Sequence, residues 1–374
     1  MSIHQPVEDS EFSFEGHQRA SGEIGIRNQV LVIPSVICSR IVADQIAEAV
    51  PEAVSASHDH GCAQIGSDTD QTKRTLINIG TNPNVAGVVV VGLGCEGVQS
   101  GEVVEALETR GVPVEGVVIQ EEGGTDPCFD RGVEVATDLV NTASVDTAAG
   151  SISDLTVGVV ASDADATSIE EADPLIGSLV SELTDAGGRI VVAGTERLLT
   201  HQETARERMA NDSARAQFDA LSDRHENHPP RTTQAGRDAA SRSFEEVARL
   251  WGDASIKAVL RYGERTTHDS GVAIVDAPSS FAEAATGLAA AGAEFILHVT
   301  AEGVPTGHPT VPVVKVTGNN RTYTALENDI DLNAATTSLV ELSECVATIC
   351  NGRETAAEHH GLTDFAITRV GPSM

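Results

Sequence analysis

Four apolar runs near the start of the chain, Gln29 to Val36, Val54 to Ser57, Val85 to Gly92 and Val114 to Ile119, each end at a polar, potentially reactive group of residues. Short apolar runs bounded by turns read as buried strands. The segments between them, Ser39 to Val50, Asp70 to Gly80, Ser100 to Thr109 and Asp130 to Thr142, carry apolar residues at helical spacing. Strand and helix in alternation imply right-handed crossovers and a parallel sheet covered on both faces. Cys38 follows the first run, His58, His60 and Cys62 the second, Cys95 and Glu96 the third, and Gln120 to Gly124 the fourth. All therefore fall outside the carboxyl ends of the strands, where open α/β sheets bind ligands.

A second alternating set runs through Leu155 to Ala161, Arg189 to Ala193, Ala258 to Tyr262, Val272 to Asp276, Phe295 to Val299 and Val311 to Val316 as strands. Its helices are expected at Pro174 to Ala186, Ser280 to Ala291 and Asn333 to Ile349. The expected fold class is α/β, with two tandem doubly wound domains and mostly parallel sheets. Residues 1–15 read as a flexible acidic arm, 16–145 as the first domain and 152–372 as the second. The Ser-, Thr-, Ala- and Gly-rich stretch Ala143 to Asp154 reads as the linker. The polar stretch Asn211 to Ser243 reads as a helix followed by an exposed loop.

A formal charge of −32 from 56 acids, with Lys73, Lys257 and Lys315 as the lysines, argues against nucleic acid or anionic lipid as a partner. Such an acid excess fits work at high salt, where molar ionic strength screens charge over about 3 Å. No uninterrupted apolar stretch reaches membrane-spanning length, and Met1 to Gly16 has no apolar signal core, so a cytoplasmic location is expected. Six cysteines in a chain of 374 residues do not make a disulfide framework, leaving core, nucleophile or metal-ligand roles.

Imidazole and thiolate at His58, His60 and Cys62 suit iron or zinc, and imidazole suits manganese as well; equally, one histidine caps the next helix while Cys62 packs as a small hydrophobe. Glu96 reads as general base or metal ligand, against a solvated acid at a helix start. Gly92, Gly94 and Gly97 also match the glycine spacing of dinucleotide-binding turns, although an acid there would repel phosphates. Gln120 to Thr125, with Gly123 and Gly124, either presents backbone N–H groups to a carboxylate or simply allows a tight turn. Arg27 and Asn28 could grip a substrate carboxylate, or Arg27 could pair with a surface acid. Cys345 and Cys350 are expected in the core, and the role of Cys38 stays open.

Gly16-His17-Gln18-Arg19 through Gly25-Ile26-Arg27-Asn28 resembles the large, catalytic part of the altronate/galactarate dehydratase family. The resemblance continues in order through His58-Asp59-His60-Gly61-Cys62, Asn82 to Gly87, Gly92-Leu93-Gly94-Cys95-Glu96 and Ile119 to Thr125. Weaker echoes lie at Gly271 to Pro278, Pro305-Thr306-Gly307-His308 to Asn319 and Asp329 to Asn333, so that it spans about residues 16–372.

The resemblance implies loss of water from a sugar acid to give a 2-keto-3-deoxy acid, assisted by a divalent metal such as iron or manganese. Some relatives expel sulfite from sulfolactate. It further implies His58, Cys62 and Cys95 near the metal, catalytic parts for Glu96, His58 and Asp165, and substrate contacts from Arg27, Asn28, Gln120, Gly123 and Gly124. A separately encoded small subunit and an oligomer are also implied. This chain departs from the family pattern in its second half: Ala161 stands where a cysteine is usual, and Gly194 to Leu199 and Pro230 to Gly236 differ as well. These departures sustain a second reading, a non-catalytic or regulatory homologue that binds a sugar acid.

Overall fold

The computed structural model describes residues 12–143, 145–227, 233–369 and 371. The first half contributes β1 (Ser13–Gln18), β2 (Ile24–Gly25), β3 (Gln29–Pro34), β4 (Ala53–Ser55), β5 (Val85–Gly92), β6 (Val114–Val118) and β7 (Thr147–Ser151). Strands β3 to β6 form a parallel four-stranded sheet in the order β4-β3-β5-β6. Helices α1 (Arg40–Ala49), α2 (Ser67–Gly80), α3 (Ser100–Thr109) and α4 (Thr125–Thr142) connect them. β5 is central and buried throughout, as its unbroken Val-rich run requires when both faces are covered. The fourth helix begins at Thr125, earlier than the periodicity indicates, because Pro127 fits a first helical turn.

The second half gives β8 (Thr156–Ala161), β9 (Arg189–Val192), β10 (Ile256–Leu260), β11 (Gly271–Val275), β12 (Phe295–Val299), β13 (Val313–Thr317) and β14 (Leu332–Asn333). They form one parallel sheet in the order β10-β11-β9-β8-β12-β13-β14. The Leu339–Cys350 helix starts later than expected: Ser338 and Glu341 form a capping box that fixes its first turn, while Leu332 and Asn333 join the sheet. Helix Asp212–Asn227 matches its expectation, but Gln234–Ala240 is helical where an exposed loop was anticipated, and residues 228–232 lie outside the described residues.

Two further expectations are corrected. Residues 13–15 are strand, and the presumed linker contains β7, which pairs antiparallel with β1. Phe14 drives this: its ring lies over Gly150, where any Cβ would collide with it, and Phe14, Ile24 and Ile26 pack into the core of the second sheet. Residues 1–11 of the acidic arm lie outside the described residues.

The two sheets are joined at their amino ends. Asn82 Nδ2 donates to the Ala289 and Ala293 carbonyls, and Asn84 Nδ2 to those of Glu294 and Thr310, while Asn84 Oδ1 accepts the Ile26 and Arg27 N–H groups. Unpairing any of these buried groups costs about 1–3 kcal/mol. Helix α2 packs beside the Phe281–Ala290 helix, and each runs from a carboxyl edge toward an amino edge. The carboxyl edges of both sheets consequently open on the same side of the molecule.

Candidate functional site

Three loops at the carboxyl edge of the first sheet are stitched together by backbone groups. The loop after β3 makes a short 3-10 turn, Ile37–Ser39, that carries Cys38. Ile37 N–H donates to the His60 carbonyl at 2.8 Å, and Gly97 N–H donates to the Gly61 carbonyl at 3.2 Å. Cys38, Cys62 and Cys95, one from each loop, are all exposed. The Cys38 thiol is pushed up, first by partial removal from water and then by Cys62, which also hydrogen-bonds to it, with Cys95 and Glu96 adding to the effect.

Glu96 lies beneath these thiols and is 4% exposed. Its Oε1 accepts from the Ser35 hydroxyl at 3.0 Å and from Leu93 N–H at 3.3 Å, and its Oε2 accepts from Gly94 N–H at 2.6 Å. Burial works to raise its pKa, but the hydrogen bonds from its own N–H, Gly94, Ser35 and Cys95 together outweigh that and hold it below the usual glutamate range. Gly92 makes the room: a Cβ there would stand 2.8 Å from Glu96 Oε1 and 2.4 Å from Ser100 Oγ. Because the Gly94 and Gly97 N–H groups are spent inside this arrangement, the glycine turn has neither the free donors nor the charge for a dinucleotide pyrophosphate.

His58 is not placed as a metal ligand, which corrects the expectation. Its Nε2 donates to the Pro34 carbonyl at 2.7 Å, and its Nδ1 accepts His60 N–H at 3.1 Å, so both ring nitrogens are taken. Burial lowers its pKa to about 4, which keeps the ring neutral. His60 meets Gln64 Nε2 at 3.0 Å through Nδ1, and its pKa is lowered, chiefly by burial. The tail from Thr355 returns to cover this region: Phe365 lies 6.3 Å from the His58 ring and 5.6 Å from that of His308.

The other expected substrate contacts are dispersed. Arg27 lies at the amino end of β3, bound to Glu358 Oε1 at 2.7 Å and to the Arg353 carbonyl at 2.9 Å, and so ties the two halves together. Asn28 sits beside it and accepts from Arg19 at 2.8 Å. A strand of six residues, about 20 Å long, separates them from the thiols. Asp165 accepts from Thr167 N–H at 2.8 Å and its hydroxyl at 2.7 Å, an exposed turn closed on itself. Gln120 lies against Gly94, next to the thiol loops, while Gly124 N–H is already bonded to the Ile119 carbonyl. Gly123 and Gly124, with φ of +89° and +136°, serve the turn into α4.

On the second sheet, His298 Nε2 meets the Ser162 hydroxyl at 2.7 Å, while His298 Nδ1 and the Nζ of Lys315 on the adjoining strand have no hydrogen-bond partner. Burial, then Lys315, lowers the His298 pKa to about 3. Sequence reasoning overlooked Lys315, although a lysine inside the apolar stretch Val311 to Val316 was a visible signal.

Among the described residues no three His, Cys, Asp or Glu side chains already surround one point as ligands of a single ion. The donors that do gather are three thiols with one carboxylate. Thiolates are soft donors that suit zinc or iron better than manganese.

This is an open α/β protein with a candidate site of thiols and a buried carboxylate at one sheet edge. The chain matches the second domain of D-galactarate dehydratase/altronate hydrolase over residues 16–144 and the C-terminal D-galactarate/altronate dehydratase domain over residues 246–373, and it belongs to that family. It is 28% identical to the (2R)-sulfolactate sulfo-lyase subunit beta of Chromohalobacter salexigens, over 96% of this chain and 97% of that one. It is 26% identical to the altronate dehydratase of Bacillus subtilis and 28% identical to that of Escherichia coli, in each case over 99% of this chain and 80% of the relative.

Proposed function

We propose that the chain is the catalytic part of a hydro-lyase that removes water from a sugar acid and yields a 2-keto-3-deoxy acid. The observation that carries the reading is the convergence of three thiols on an ionised, buried glutamate within the region matched to the dehydratases. Elimination of a β-hydroxyl requires a base for the proton beside the carboxylate and a cation for the charge that develops on that carboxylate. Glu96 is the proposed proton acceptor, since it is ionised across the neutral range and fixed by Ser35, Leu93 and Gly94. Cys62 and Cys95, joined by Cys38, would hold iron, which supplies Lewis-acid stabilisation when bound. His58 positions the second loop through Pro34, and Phe365 covers its ring. Arg27 and Asn28 leave the substrate contacts, and Asp165 becomes a turn-forming residue. Gln120, beside Gly94, is retained as a substrate contact.

The extent of the match to the sulfo-lyase subunit favours a second substrate class, in which sulfite leaves instead of hydroxide. That relative is named a subunit, so a separately encoded small partner is proposed here as well. Among the described residues no helix is long and apolar enough to cross a membrane.

The test is an anaerobic panel of hexonates, hexarates and sulfolactate with ferrous iron, run at high salt with and without the candidate partner. Keto-acid formation from a sugar acid supports the first reading, and sulfite release supports the second. Absence of both products, together with no exchange of the proton beside the carboxylate, would leave the non-catalytic homologue.

A further inference from the structure

Gln18 and Arg19 end the first segment that resembles the dehydratases, yet they take no part in the carboxyl-edge site. They line a cavity of about 660 Å³ at the opposite end of the first sheet, beside the starts of β5 and β6. β5 has eight residues, about 25 Å of strand, so the cavity is remote from the thiols. Its volume is that of a small-molecule site. Val85, Val112, Pro113 and Leu139 give it apolar walls. Its charged residues are Arg19, Arg110, Arg265, Glu23 and Asp146, a balance of three arginines to two acids in a chain with 24 basic and 56 acidic residues.

Arg19 carries a charge that no carboxylate answers. Its Nε donates to the Pro83 carbonyl at 2.5 Å, Nη1 to Asn28 Oδ1 at 2.8 Å and Nη2 to the Arg27 carbonyl at 2.8 Å, all of them neutral acceptors. A guanidinium has five N–H groups, so one on each terminal nitrogen has no partner among the described residues. Burial lowers the Arg19 pKa to about 10 with no opposing charge beside it. Arg265, by contrast, is paired with Glu23 and donates to the Thr81 carbonyl at 3.0 Å.

We infer that this cavity binds a small monocarboxylic acid with an apolar body, its carboxylate on Arg19 and its body against Val112, Pro113 and Leu139. Two N–H groups on one guanidinium suit the two oxygens of a carboxylate. Glu23 and Asp146 would repel a dianion such as phosphate, and the apolar walls offer the hydroxyls of a sugar acid nothing to bond. Arg19 also holds Pro83 and Arg27, and Asn82 in the same lining joins the two sheets through the Ala289 and Ala293 carbonyls. An acid bound here therefore steadies the joint between the two halves. The site stands independently of the hydro-lyase reading.

The full-length chain is titrated by calorimetry with hexanoate, hexan-1-ol and gluconate at one fixed salt concentration. Hexanoate should bind saturably, with hexan-1-ol and gluconate weaker by about tenfold or more, the worth of a charge-assisted hydrogen bond. Two variants locate the ligand. Arg19→Gln removes the guanidinium. Ala20→Trp keeps it and fills the mouth, since the Ala20 Cβ lies 3.9 Å from where a Cβ on Gly111 would stand. Each should lose about tenfold or more in hexanoate affinity while remaining folded by circular dichroism. Hexanoate should also raise the urea midpoint of the wild type and of neither variant. Wild-type affinity in either variant places the ligand elsewhere and overturns the proposal, as does the lack of saturable hexanoate binding through the millimolar range. Hexan-1-ol binding as tightly as hexanoate would reduce the site to an apolar hollow and overturn it too. Gluconate binding more tightly than hexanoate would contradict the apolar body and have the same effect.

Discussion

A Cβ on Gly61 would stand 2.3 Å from the carbonyl oxygen of Ser35, and Gly61 has a φ of +87°. The same residue accepts Gly97 N–H, so one glycine sets where the loops bearing Cys38, Cys62 and Cys95 meet.

Gly61→Ala should therefore move the loops apart. Backbone strain contributes about 1–3 kcal/mol, and the clash with Ser35 adds to it. Gly66, with φ of +60° and open space around it, is the control that suffers strain alone. Urea midpoints should fall in both variants, and iron retention should fall in Gly61→Ala only. Wild-type iron content in Gly61→Ala would show that the loops are placed independently.

His58→Asn removes the reach to Pro34 and leaves a buried carbonyl unpaired. A loss of about 1–3 kcal/mol in unfolding free energy is expected, with iron content maintained. Metal loss at unchanged stability would restore His58 as a ligand.

Much of this architecture was legible in the sequence because a buried parallel strand needs a continuous apolar run, and β3, β5, β8 and β11 each have one. The collection of reactive residues at one edge follows from the same topology. What was not legible depends on packing across the chain. β1 and β7 are short and polar, and are defined by Phe14 fitting against Gly150. Arg27 looked like a substrate contact because its partner, Glu358, is 331 residues away. The engagement of His58 through both ring nitrogens rests on two hydrogen bonds to the backbone that no spacing encodes.

Acid should destabilise the fold steeply. His58 at about 4, and His298 and His308 each at about 3, lie below their ordinary value of 6.5, burial being the first cause in each case. The folded chain thus binds fewer protons than the unfolded chain below pH 6.5, and stability is lost as pH falls through that range. Glu294 works oppositely: burial raises it to about 8, so its contribution declines as pH rises from 4.5 to 8. A stability maximum near neutrality follows. Urea unfolding across pH should show it, and Glu294→Gln should flatten the alkaline side; an unchanged alkaline slope would remove Glu294 from the account.

Lys315→Met should stabilise the protein by about 1–3 kcal/mol, since it removes a buried ammonium with no hydrogen-bond partner. The comparison is by urea midpoint at neutral pH. A lower midpoint would mean that Lys315 is satisfied through Asp331, the carboxylate whose charge most opposes the lowering of its pKa.

Glu96 gives the sharpest test of the elimination. Glu96→Gln keeps the shape but cannot accept a proton, and exchange of the proton beside the substrate carboxylate should slow by about 10²–10⁴-fold while iron remains bound. Because the amide would turn a donor toward Ser35, Leu93 or Gly94, a second variant is needed that keeps the carboxylate. Ser35→Ala removes one hydrogen bond that lowers the Glu96 pKa, so that pKa should rise. A base with a higher pKa is protonated at higher pH, and the acid limb of the rate profile should move upward in Ser35→Ala. Unchanged exchange in Glu96→Gln, with an unmoved acid limb in Ser35→Ala, would make Glu96 the anchor of the Gly92 to Gly97 turn and place the proton acceptor elsewhere.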